Sequence, residues 1–220
     1  MKLIDAFQAE HELIDQVLGA FRTYADRLGE PDADADVDPQ DGRRFAAFFA
    51  EYVGHFHVER EEQILFAALV DDAGLPADRG PVHAITQEHR EMDAWLRRMQ
   101  PLLEQGSLAP NDRHALRMLA TRYSHALWRH IDAENSVLYQ EGAERLGRYG
   151  VSELPDRAMR PAEAAAQADA AALLGRYPAR EDATLTRGEG CFMCSAHGTT
   201  CEGLEAEWWD EMEWDDFFNR

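Results

Sequence analysis

Two ten-residue stretches carry the residue types that could do chemistry. HVEREEQILF at 57–66 places Glu61 four residues after His57, then Leu65 and Phe66. HIDAENSVLY at 130–139 repeats the frame with His130, Glu134, Leu138 and Tyr139 at the same offsets. A shorter motif precedes each copy: EHELIDQVL at 10–18 and EHREMDAWL at 88–96 share EHxx[IM]DxxL, with His11 and His89 in register. Short and long motifs alternate, so the chain reads as an internal duplication of a helix pair.

On a helix, residues i and i+4 lie on one face, a turn apart. Each long motif therefore aims an imidazole and a carboxylate the same way, with a leucine one turn on. The leucines mark the inward stripe, so the polar pair is expected to be buried and to need a partner there. A metal is such a partner. Four helices then contribute six ligands, His11, His57, Glu61, His89, His130 and Glu134, a number suited to two metal ions bridged by the two carboxylates. Imidazole and carboxylate donors suit iron or manganese better than a soft ion. Two Fe ions are expected, with Mn possible, and a vacant coordination position for water, O2, peroxide or NO. A duplication that has lost its metal and a buried polar network are the alternatives. His55 and His83 are expected outside the ligand set. Asp15 and Asp93, one turn beyond the short-motif histidines, are candidates to accept a hydrogen bond from a ligating imidazole, whereas Glu10 and Glu88 simply neighbour those histidines.

The elements that must position these groups can be read from apolar spacing. Helices are predicted over 2–28, 43–71, 81–104 and 111–146, with Pro81 in the first turn of the third and Asn111 as cap of the fourth. The connection 29–42, with two prolines and five aspartates, reads as a solvated loop. The expected fold is all-α: an antiparallel up-down-up-down four-helix bundle over 1–150, followed by an extension over 151–220. Within that extension, 161–175 is alanine-rich and predicted helical.

The formal charge of −20 argues against nucleic-acid binding and against an anionic membrane surface. No apolar run approaches a membrane span, and the first residues lack a signal-peptide pattern, so cytoplasmic residence is the expectation. The three cysteines cluster with a histidine as Cys191, Cys194, His197 and Cys201, a possible zinc site of three thiolates and one imidazole. Thiol redox chemistry or a cluster with no task are the alternatives. Residues 202–220 combine Trp208, Trp209, Trp214, Phe217 and Phe218 with eight acids. These aromatics are expected to pack on the bundle, on a second copy in a homodimer, or on another protein.

The doubled HxxxExxxL[FY] and EHxx[IM]D motifs, spanning about residues 3–148, resemble the hemerythrin-like HHE cation-binding domains. The resemblance implies a four-helix bundle with a non-haem di-iron centre. His11 would match the first-helix ligand, His57 and Glu61 the second-helix pair, His89 the third-helix ligand, and His130 and Glu134 the fourth-helix pair. It further implies binding of O2, NO or peroxide, sensing of iron, or a part in oxidative or nitrosative stress. The chain departs from the oxygen-carrying members, which have two third-helix histidines one turn apart; the positions one turn from His89 are Ile85 and Asp93. Those members also space the fourth-helix carboxylate five residues from its histidine, against four here. Reversible O2 carriage is thereby disfavoured relative to redox turnover, sensing or an iron-responsive interaction module.

Overall fold

The computed structural model describes residues 1–28, 37–105 and 107–179. Four long rods form the bundle. Helix α1 is Lys2–Leu28. Helix α2 runs through Pro39–Ala47, Phe48–Val58, Glu61–Phe66 and Ala67–Asp71. Helix α3 is Gly80–Leu103, and α4 runs through Pro110–Ala133, Glu134–Leu138 and Tyr139–Arg148. A fifth helix, α5, spans Pro161–Arg176. The all-α, four-helix architecture expected from the duplication is what the chain adopts. Among the described residues no helix is long and apolar enough to cross a membrane.

Helix boundaries follow local chemistry. The start of α2 lies upstream of residue 43 because Asp38 caps it, accepting a 2.9 Å hydrogen bond from the Gln40 amide, and Pro39 sits in the first turn. Helix α4 opens on Pro110 after Ala109, so Asn111 is inside the first turn and is not its cap. Pro81 occupies the first turn of α3.

Three segments differ from the plain α-helices expected from the motifs. Phe48–Val58, Glu61–Phe66 and Glu134–Leu138 are π-helical. The motifs themselves supply a reason. His57, Glu61 and Leu65, like His130, Glu134 and Leu138, recur every four residues. In an α-helix of about 3.6 residues per turn that spacing drifts by about 40° at each step. The wider i→i+5 turn drifts the opposite way, so α- and π-turns in succession keep imidazole, carboxylate and leucine on one side.

Two apolar cores flank the plane of these polar residues. The larger gathers Ile14, Phe21, Phe45, Phe49, Phe56, Met92, Leu127 and their neighbours; the smaller gathers Ile4, Phe7, Leu65, Phe66, Ile85, Leu138 and Tyr139. Every bundle helix passes from one core to the other at its ligand histidine. Helix α5 lies against α1 and α2. It joins the larger core through Ala166, Ala170 and Leu173, with Tyr177 just beyond its end. Its small apolar residues, too few for a separate core, cover the bundle instead.

Candidate metal centre

The six motif residues converge. His11, His57, Glu61 and Glu134 form one group of four donors, and Glu61, His89, His130 and Glu134 form another. Both carboxylates belong to both groups. All six side chains are buried, with Glu61 and Glu134 fully so. His11 of α1 faces His57 of α2, and His89 of α3 faces His130 of α4.

The imidazoles are held from behind. His57 Nδ1 lies 2.8 Å from Glu10 Oε2, and His130 Nδ1 lies 2.8 Å from Glu88 Oε2. His89 Nδ1 lies 2.9 Å from Glu62 Oε1, and His11 Nδ1 lies 2.9 Å from Asn135 Oδ1. Carboxylate and amide oxygens accept hydrogen bonds, so each Nδ1 carries a proton and each Nε2 is turned inward. The outer partners also cross between helices in a repeated manner. The glutamate before each short-motif histidine holds the long-motif histidine of its neighbour, and the residue after each long-motif glutamate holds a short-motif histidine.

Inside, His11 Nε2 and His57 Nε2 are 3.0 Å apart, and His89 Nε2 and His130 Nε2 are 3.1 Å apart. Two such nitrogens at right angles about a metal, each about 2.1 Å from it, would be about 3.0 Å apart. Glu134 Oε2 lies 3.3 Å from both His11 Nε2 and His130 Nε2, while Glu61 Oε2 lies 3.5 Å from both His57 Nε2 and His89 Nε2. Glu61 Oε2 and both carboxylate oxygens of Glu134 are buried without a hydrogen-bond partner. Buried carboxylate oxygens of this kind call for a cation. The donor set therefore fits two ions that share the two carboxylates.

The electrostatics agree. Burial opposes a charged His89, yet the carboxylates of Glu61, Glu62 and Glu134 raise it to about 10. Burial likewise opposes a charged His11, which Glu134 and Glu61 nevertheless raise above its ordinary value. Burial works against ionised Glu61 as well, but the facing imidazoles of His57, His89 and His11 hold its carboxyl below the ordinary range. In the metal-free protein, a proton on His89 supplies part of the positive charge that the cations would bring.

Several residues that shape the centre escape a motif reading. Tyr139 donates a short hydrogen bond to Glu61 Oε1 and stacks on His11 with centroids 5.4 Å apart. Burial and the nearby Glu134 and Glu61 keep its phenol protonated far above the usual range. Arg60, fully buried between the rings of Phe56 and Phe7, donates 2.6 Å to Glu10 Oε1 and 2.8 Å to Asp156 Oδ1. The holders of the imidazoles are Glu10, Glu62, Glu88 and Asn135, not Asp15 or Asp93; Asp93 pairs with Arg97 on the surface. The doubled EH pairs, and the E[EN] pair in the middle of each long motif, were the available signal. His55 and His83 lie outside both donor groups, as expected, and Ile85 packs in the smaller core. A cleft of about 440 Å³ between α2 and α3, lined by Val53, Met92, Leu96 and Leu127, reaches Glu62 and His89. Cys191, Cys194, His197 and Cys201, the candidate zinc ligands, and the tryptophan-rich 202–220 lie outside the described residues.

Fold and donors define a class: a four-helix bundle that presents two His/Glu ligand sets joined by shared carboxylates. The chain belongs to the hemerythrin HHE cation binding domain family, which matches residues 2–141. No curated protein and no solved structure matches the chain.

Proposed function

We propose that this is a non-haem di-iron protein that binds O2, NO or peroxide and acts as a sensor or scavenger, or as a weak oxidoreductase. One observation carries the reading: two groups of four buried donors share Glu61 and Glu134. His11 and His57 would hold one ion, His89 and His130 the other, and Glu61 and Glu134 would bridge them. Manganese suits the same donors. Bound iron would supply a change of charge and coordination positions that the protein leaves free. The chain itself orients the imidazoles through their Nδ1 partners, excludes bulk water with two apolar cores, and fixes Glu61 through Tyr139. The cleft beside His89 offers a small ligand an approach from the α2–α3 side.

A fifth histidine one turn from His89 is missing on both sides: Ile85 is in the core and Asp93 is paired with Arg97. This favours turnover or sensing over reversible O2 carriage. Stopped-flow mixing of the reduced, iron-loaded protein with O2, peroxide or NO tests the reading. An optical change within the mixing experiment, absent from the metal-free protein, is expected. No reaction with any of the three would contradict it.

A second reading, an iron-responsive interaction module without turnover, has its own support. Asp156, in the segment before α5, reaches His57 through Arg60 and Glu10. Loss of metal would then be felt outside the bundle. A change in hydrogen exchange of α5 on metal removal, without turnover of oxidant, would favour it.

A further inference from the structure

The two halves of the duplication match at every proposed ligand but differ in what stands behind the ligands. Position by position, Glu10 corresponds to Glu88, Asn135 to Glu62, Arg60 to Ala133, and Tyr139 to Phe66. The first pair is the same residue. The other three change charge or hydrogen bonding.

Behind the His11/His57 subsite, the Nδ1 partners are the neutral amide of Asn135 and the carboxylate of Glu10. The second oxygen of Glu10 accepts a hydrogen bond from Arg60 Nη1 at 2.6 Å, so its charge is compensated. Arg60 is 1% exposed, which removes the screening that would weaken this pair at a surface. Behind the His89/His130 subsite, both partners are carboxylates, Glu62 and Glu88. Among the described residues neither makes a salt bridge to an arginine or lysine. Ala133 stands where a counterpart of Arg60 would be.

Tyr139 adds a difference of the same sign. Its hydroxyl donates to Glu61 Oε1 and lies 3.4 Å from His11 Nε2, on the side of the first subsite. The bond draws charge from a shared carboxylate there. Phe66, which stacks on His89 with centroids 5.8 Å apart, has no hydroxyl to do the same.

We propose that the two subsites are unequal, and that the His89/His130 subsite, backed by Glu62 and Glu88, takes the first divalent cation. The inference rests on the dinuclear reading above and deepens it. An imidazole whose Nδ1–H faces a carboxylate is a stronger donor than one facing an amide, and residues in this outer position typically change metal affinity about 10–100-fold. The side chains of Glu62 and Glu88 are 38% and 41% exposed. Solvent damps their field, which places the expected difference near the lower end, about tenfold. Glu62 and Glu88 are thus positioning residues: they act through the histidines.

The test uses full-length metal-free protein and Mn(II) alone. With one equivalent of Mn(II), anomalous diffraction should place the ion between His89 and His130. Calorimetric titration should show two steps, the tighter one weakened about tenfold in Glu62→Gln and in Glu88→Gln, with the weaker step little changed. Asn135→Glu, which gives the first subsite the partner of the second, should strengthen the weaker step and narrow the gap. Circular dichroism of the metal-free variants confirms that each is folded. First occupancy between His11 and His57, equal occupancy at both, or unchanged affinities in Glu62→Gln and Glu88→Gln would overturn the ordering while leaving the dinuclear reading intact. Mn(II) bound at neither pair would overturn both.

Discussion

At the scale of single residues, the centre is a balance of buried charges that the fold must neutralise. The raised value of His89 has a consequence for stability. Free imidazole titrates near about 6.5, whereas His89 in the metal-free protein holds its proton to about 10. Its contribution is therefore fully present below about pH 6.5 and is lost as pH rises through about 10. Denaturant midpoints of the metal-free protein should fall across that window, and those of the metal-loaded protein should fall less. A flat profile for the metal-free protein would contradict the assignment. Glu61 has the opposite sense: its lowered value makes its contribution present above the ordinary carboxylate range and lost only in stronger acid. Arg60 tests the outer layer. Arg60→Ala leaves Glu10 buried without its cation, so urea unfolding should show a loss of about 3–5 kcal/mol. A loss under about 1 kcal/mol would mean that Glu10 is solvated.

At the scale of elements, the rods are held in register by close contacts as well as by core packing. Gly42, in the first turns of α2, sits where an added Cβ would lie 2.4 Å from the Leu103 carbonyl oxygen and 2.8 Å from the Tyr24 hydroxyl. Backbone on the α3 side cannot give way cheaply, so Gly42→Ala should destabilise by about 1–3 kcal/mol. Thermal unfolding reads this directly, and an unchanged midpoint would show that the α2–α3 junction is loose. Leu173 of α5 is fully buried, and Leu173→Ala should cost about 2.7–5 kcal/mol. If α5 only covers the bundle, metal content in that variant stays as in the parent. The helices and their approximate limits were legible from apolar spacing, because 27 residues of α1 and 24 of α3 repeat their pattern over many turns. The π-helical segments were not. Periodicity names the face that a residue takes, while the choice between i→i+4 and i→i+5 bonding was hidden in the four-residue spacing of His57, Glu61 and Leu65. The α2 start was missed for a related reason: Asp38 reads as part of an acidic loop until its bond to Gln40 is seen.

At the scale of the whole molecule, the duplication explains both what could be read and what could not. Repetition identified the six converging residues, since His11, His57, Glu61, His89, His130 and Glu134 recur at matched offsets and lie together in the fold. The pairing of histidines across α1–α2 and α3–α4 needed the bundle, because sequence order does not say which helices face each other. The outer partners needed it too: Asn135 lies 124 residues from His11 and Glu10 lies 47 from His57. Departures from the repeat, at Asn135, Arg60 and Tyr139, carry the individuality of this chain. All three stand beside the centre, and the inequality of the two subsites proposed above rests on them. The central claim is that two ions share Glu61 and Glu134, and metal analysis of iron-loaded protein tests it most directly. About two irons per chain are expected in the parent, with Glu61→Ala and Glu134→Ala each retaining one or none. An iron-replete parent that holds no metal, or a Glu61→Ala variant that keeps both ions, would contradict it.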